Sequence, residues 1–153
     1  MLILQEEKVV EWRSWKTDYR GDLLICASSA PWWAGSICKH ALCVVKLVDI
    51  VPFERKHLAP AFMEVLPSPA GYAWILENVR FVEPFELKGK LRIYDADDSL
   101  IKVMSDGESR AAFAEKHYKP LIRWEDKELG REVIEADWND WIRSLQERDE
   151  RGE

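Results

Sequence analysis

The chain has 153 residues, 47% of them hydrophobic and 33% charged, with a net charge of −6, which is enough for one domain with its own hydrophobic core. No apolar run approaches the roughly 20 residues of a membrane-spanning helix, and the opening MLIL is too short for a secretory signal. The three cysteines (Cys26, Cys38, Cys43) and three scattered histidines (His40, His57, His117) give neither a disulfide framework nor metal-ligand spacing, so a soluble cytoplasmic protein with reduced thiols, no metal and no cofactor is expected.

The charge is unevenly spread. Eleven acids and five bases lie from Glu125 onward, which leaves seventeen of each sign in residues 1–124. The acidity belongs to the tail, and the neutral body has room for a local basic patch. Lys8, Arg13, Lys16 and Arg20 meet only Glu11 and Asp18 between positions 8 and 20, a balance open to an anionic partner despite the low overall charge.

In chain order, Val9 to Trp15 is rich in branched and aromatic residues and predicts a strand. Period-two alternation puts Val9, Glu11, Arg13 and Trp15 on one face and Val10, Trp12 and Ser14 on the other. Asp18 to Gly21 reads as a turn and Asp22 to Ala27 as a strand, whose nearly continuous apolar run predicts cover on both faces. Ala41 to Val51 is the strongest strand signal and is expected at the centre of the sheet. Residues 52–70 contain four prolines and read as a connection with one helical turn near Glu54 to Leu58. Tyr72 to Phe81 returns to strand character with Tyr72, Trp74 and Leu76 on one side, and a further strand is expected from about Leu91 to Asp95. Helix formers then follow: Glu108 to Tyr118 behind a Ser105/Asp106 cap, and a helix capped by Asp137 with Trp138, Trp141, Ile142 and Leu145 on one stripe. Strands first and helices last predict an α+β chain with helices packed outside a small sheet or barrel.

Four blocks carry a resemblance. K-x-x-E-x-R-S-W at Lys8 to Trp15, Y-R-G-x-L-L-I-x-A-S at Tyr19 to Ser28, Y-A-W-I-L-E-N at Tyr72 to Asn78 and K-G-K-L at Lys88 to Leu91 stand in the order and spacing of the ASCH domain family, and the chain resembles that family over about residues 2–95. The resemblance implies a PUA-like mixed β-barrel with flanking helices, placed over residues 1–104, and the acidic, helix-forming residues of 105–153 predict a helical C-terminal extension packed on it. It also implies a role with nucleic acid, since relatives bind RNA or DNA in a cleft beside the barrel, while others are RNA-processing enzymes or amidohydrolases acting on modified cytidine. The chain departs from the family pattern in three places. Glu6 stands at a glycine position, so the turn before Lys8 is expected to change. Glu11 stands where the amidohydrolase branch has threonine. Only MLIL stands where relatives carry a first strand, so its pairing is expected from another protomer in a homodimer, from the C-terminal extension, or from residues before the present start.

Three functions follow as expectations. The first is an RNA-binding module in which Lys8, Arg13, Lys16, Arg20, Lys88 and Lys90 contact phosphates, Trp15 and Tyr72 stack bases, and Ser28 lies at the mouth of the cleft. The second is a metal-independent hydrolase, a ribonuclease or an amidohydrolase on a modified nucleoside, with Lys8 stabilising charge and Glu11 accepting a proton. The third is a protein-interaction domain of coregulator type dominated by its tail. Each residue also has an ordinary structural reading: Lys8 as a solvated strand-end lysine, Glu11–Arg13 as a structural ion pair, the aromatics as core, and the lysines as plain surface.

Overall fold

Branched and aromatic residues dominate the four segments that pair as strands. The structure, a computed structural model, describes residues 2–27, 35–86, 98–124 and 130–153. Strands β1 (Val10–Arg13), β2 (Gly21–Cys26), β3 (His40–Pro52) and β4 (Tyr72–Glu86) form one sheet in the order β1-β4-β3-β2. Two helices follow, α1 (Arg110–His117) and α2 (Arg131–Glu150). The α+β class is as expected, and among the described residues the sheet is open rather than closed into a barrel. The strand expected from Leu91 to Asp95 lies outside the described residues. Chain contacts group the residues into two compact units, Met1–Ile25 with Cys43–Arg80, and Cys26–Leu42 with Phe81–Glu153.

β3 lies inside the sheet, as its unbroken apolar run predicts, and Ala41 to Val45 are all buried. β2 departs from expectation. It is outermost in the strand order and its pattern contains no fully buried residue. An apolar run reads the same in an edge strand and a central one, because the number of neighbours is decided by distant parts of the chain.

In the first unit, β1 pairs antiparallel with β4 in a fixed register: Val10 with Ile75, Glu11 with Trp74, Trp12 with Ala73 and Arg13 with Tyr72. Directly opposed residues share a face. Val10 and Ala73 therefore turn together into a core with Phe53 and Ala61, flanked by Trp12, Val51, Leu58, Met63 and Ile75. Below that core the expected helical turn is present as a 3-10 turn at Arg55–His57. His57 is buried there, and its Nδ1 accepts the Glu54 backbone N–H at 2.9 Å.

A close approach at Gly71 locks the register. The indole of Trp12 donates to the Ala70 carbonyl at 2.8 Å, and Phe53 N–H donates to the Gly71 carbonyl at 3.0 Å. Gly71 has φ +69°, and a Cβ there would stand 2.6 Å from Trp12 Nε1 and 2.8 Å from the Arg13 carbonyl oxygen. Only glycine meets both the left-handed backbone and the contact distance.

The second unit is built around Tyr118, which has no exposed surface. Its hydroxyl donates to the Leu42 carbonyl at 2.7 Å and accepts the Val82 N–H at 3.3 Å, so one phenol serves both β3 and β4 backbones. Phe81 packs edge-on against its ring at 5.4 Å, and Trp141 stands 6.4 Å away. The stripe on α2 is buried as expected, with Ile134 joining Trp138, Trp141, Ile142 and Leu145.

The two helix starts differ from the sequence expectation. Ser109, not Ser105 or Asp106, caps α1, accepting from Ala112 N–H at 3.1 Å. Glu108 instead closes the preceding turn by accepting from Ser105 N–H at 2.7 Å. α2 begins after Gly130, so Asp137 lies inside the helix. Caps are decided by which short polar side chain reaches a free N–H, and several candidates within a few residues compete for the role.

Gly71→Ala is expected to destabilise the protein by about 3 kcal/mol, combining left-handed backbone strain with overpacking against Trp12. Urea unfolding of the two proteins measures the difference, and a change below about 0.5 kcal/mol would mean the contact at Trp12 relaxes freely.

Candidate functional site

Because Glu11 and Arg13 lie opposite Trp74 and Tyr72, strand alternation puts these four side chains on the face away from the Val10–Ala73 core. Lys8 comes in from one end of β1. Its ammonium lies 2.9 Å from one Glu11 carboxylate oxygen, and the Arg13 guanidinium lies 3.2 Å from the other. Lys8 and Glu11 are 23% and 21% exposed, while Arg13 is 49% exposed. A single carboxylate thus holds two cations in place, and the cluster retains one net positive charge. Arg13 carries five N–H donors, so its half-exposed fork can serve an anion while still held by Glu11.

The turn leading to Lys8 is built without glycine. Leu2 to Glu7 form turns in which Glu7 and Lys8 N–H groups donate to the Leu2 carbonyl at 3.0 and 3.1 Å. Glu6 takes φ +61°, a left-handed conformation that costs a side-chain-bearing residue free energy. Glutamate here occupies a conformation that glycine would adopt without strain.

β1 ends at Arg13, so the expected strand to Trp15 is shorter than its composition suggests. Trp15 reaches the site by a different route. Its ring meets Trp74 edge-on at 4.8 Å, and Trp74 Nε1 donates to the Trp15 carbonyl at 3.2 Å. Trp74 is only 4% exposed and is a core residue that positions the half-buried Trp15. Tyr72, also half-buried, has the Lys16 ammonium 5.7 Å from its ring centre.

Lys8, Glu11, Arg13, Trp15, Lys16 and Tyr72 are thereby brought together around the β1–β4 pair. Arg20 is engaged elsewhere. Its guanidinium donates to the Thr17 and Tyr19 carbonyls at 2.9 and 2.8 Å and lies 3.7 Å from Asp49, so it braces the turn. Ser28, Lys88 and Lys90 lie outside the described residues. Among the described residues no group of three or more His, Cys, Asp and Glu is placed to hold a metal ion, and no helix is long and apolar enough to cross a membrane.

One pair has no signal in the sequence. Arg80 makes a two-pronged contact with Asp22, at 2.7 and 3.1 Å, across 58 residues of chain. The guanidinium hydrogen bonds hold the Asp22 carboxyl below the usual carboxylate value, against a smaller opposing effect of burial.

A family model for the ASCH domain matches residues 1–90, a range that contains β1 to β4 and every gathered side chain. No curated protein matches the chain significantly.

Two predictions follow from the local geometry. Glu6→Gly is expected to be more stable than Glu6→Ala by about 1 kcal/mol, since the two differ chiefly in the cost of left-handed backbone; equal unfolding midpoints would show the turn relaxes in the alanine variant. Asp22 has a depressed folded pKa, so its contribution is present above its unfolded value near ~3.9 and lost as pH falls through the lower folded value. Asp22→Asn should cost about 0.5–1 kcal/mol at pH 7, a solvent-screened pair of good geometry, and the difference should shrink as pH falls below the unfolded value. A difference that does not change with pH would assign the loss to something other than ionisation.

Proposed function

The chain belongs to the ASCH domain family, and from that premise we propose that it binds single-stranded RNA on the β1–β4 face. The family has a PUA-like fold associated with RNA binding, and the open four-stranded sheet is read as part of such a barrel. The observation that carries the proposal is the cation cluster beside two partly exposed aromatic rings: Glu11 holds Lys8 and Arg13 at 2.9 and 3.2 Å, next to Trp15 and Tyr72. Arg13, with Lys8 behind it, takes a phosphate, and an aromatic ring takes an unstacked base. The acidic segment from Glu125 onward repels the phosphate backbone and takes no part in this contact.

The hydrolase alternative, with Lys8 stabilising charge and Glu11 accepting a proton, has less support. Both Glu11 oxygens are already paired to cations, an arrangement suited to positioning those cations.

Fluorescence anisotropy of a labelled single-stranded RNA decamer, at two salt concentrations, tests the reading. The folded double variant Lys8→Ala/Arg13→Ala should lose at least tenfold in affinity, because contacts to charged groups contribute about 1.5–3 kcal/mol. Its salt slope should fall by about 0.7, for the one phosphate that the pair holds on a single strand. Failure of the wild type to bind RNA, or binding that the variant retains in full, would contradict the proposal.

A further inference from the structure

Lys16 is exposed and its ammonium lies 5.7 Å from the centre of the Tyr72 ring. An ammonium over a ring face occupies the place that a stacked base would take. Arg13 is the direct cross-strand partner of Tyr72, so their Cβ atoms are about 5 Å apart. A nucleotide with its base on Tyr72 would therefore carry its phosphate into reach of both Arg13 and a displaced Lys16.

We infer that Lys16 gates Tyr72: a base stacks on the ring only when the ammonium leaves it, and the ammonium leaves for the phosphate of the same nucleotide. The cation–π contact of an exposed lysine is weak and easily exchanged for a charge-assisted bond to phosphate. A neutral nucleoside must displace the same ammonium and offers it no anion in return. The face therefore selects phosphorylated nucleotide units over free nucleosides, and Lys16 is its specificity-determining residue. This inference rests on the RNA-binding reading of the same face.

The gate makes the effect of Lys16 depend on the presence of bases, which an ordinary phosphate-contacting lysine would not show. The probes are labelled decauridylate and a decamer of stable abasic residues on the same phosphodiester backbone, titrated at two salt concentrations. With the abasic probe no stacked base anchors a phosphate beside the ring, so Lys16 stays on Tyr72 and contributes little. Lys16→Ala should weaken decauridylate about fivefold and lower its salt slope by about 0.7, one phosphate on a single strand, while abasic affinity holds within about twofold. Tyr72→Leu should narrow the difference between the two probes and abolish its dependence on Lys16, since the ring that Lys16 covers is gone while Trp15 remains.

Equal losses on both probes with Lys16→Ala, or no loss on either, would overturn the gate and leave RNA binding standing. Binding of neither probe by the wild type would overturn the RNA-binding reading and the gate with it.

Discussion

The pairing of β1 with β4 is the constraint on which the rest of the site depends. β1 is four residues long, yet its register decides that Val10 and Trp12 face the core while Glu11 and Arg13 face outward. A slip of one residue would turn the two charges into the core and expose two large apolar side chains. The cost of burying an unpaired carboxylate or guanidinium makes that slip prohibitive. Gly71 adds a geometric lock, because Trp12 and the Arg13 carbonyl approach it within the space of a missing Cβ. The same contact that packs the inner face thus places Arg13 opposite Tyr72 on the outer one.

The outer face is electrostatically economical. Exposed ion pairs contribute little to stability, commonly below about 1 kcal/mol, so the Lys8–Glu11–Arg13 cluster is better understood through position than through stability. One carboxylate fixes two flexible cationic side chains and leaves a net positive charge. Preorganisation of this kind lowers the entropy lost when an anion binds. The acidic residues that give the chain its net charge of −6 are concentrated from Glu125 onward, so total charge is a poor guide to what this face attracts.

Much of this was legible in the sequence, for reasons that differ by residue. The branched, apolar run of β3 identified an interior strand, and the alternation Tyr72, Ala73, Trp74 correctly put the two aromatic rings on one face. The α2 stripe was readable because 3.6-residue periodicity survives any choice of helix start. The pairing of β1 with β4 was not readable, since register depends on residues some 60 positions apart and on a glycine contact with no local pattern. Trp15 was assigned to the site through strand alternation but is held there by Trp74, beyond the end of the strand. Arg20 reads from the sequence both as a phosphate contact and as part of the Asp18–Gly21 turn, and the fold engages it with the carbonyls of Thr17 and Tyr19. The Asp22–Arg80 pair had no sequence signal, because nothing local links the two positions.

The central claim is that one face of the β1–β4 pair, and not the acidic helical end, meets the nucleic acid. The most direct measurement is a two-dimensional ¹⁵N NMR titration with a single-stranded RNA decamer, following backbone amides and the tryptophan indoles. The account predicts shifts at Arg13, Trp15, Lys16 and Tyr72, including the Trp15 indole, with the indoles of Trp138 and Trp141 unmoved because both are buried in α2 packing. Shifts concentrated in α2, or spread evenly over the molecule with the Trp15 indole unchanged, would contradict it.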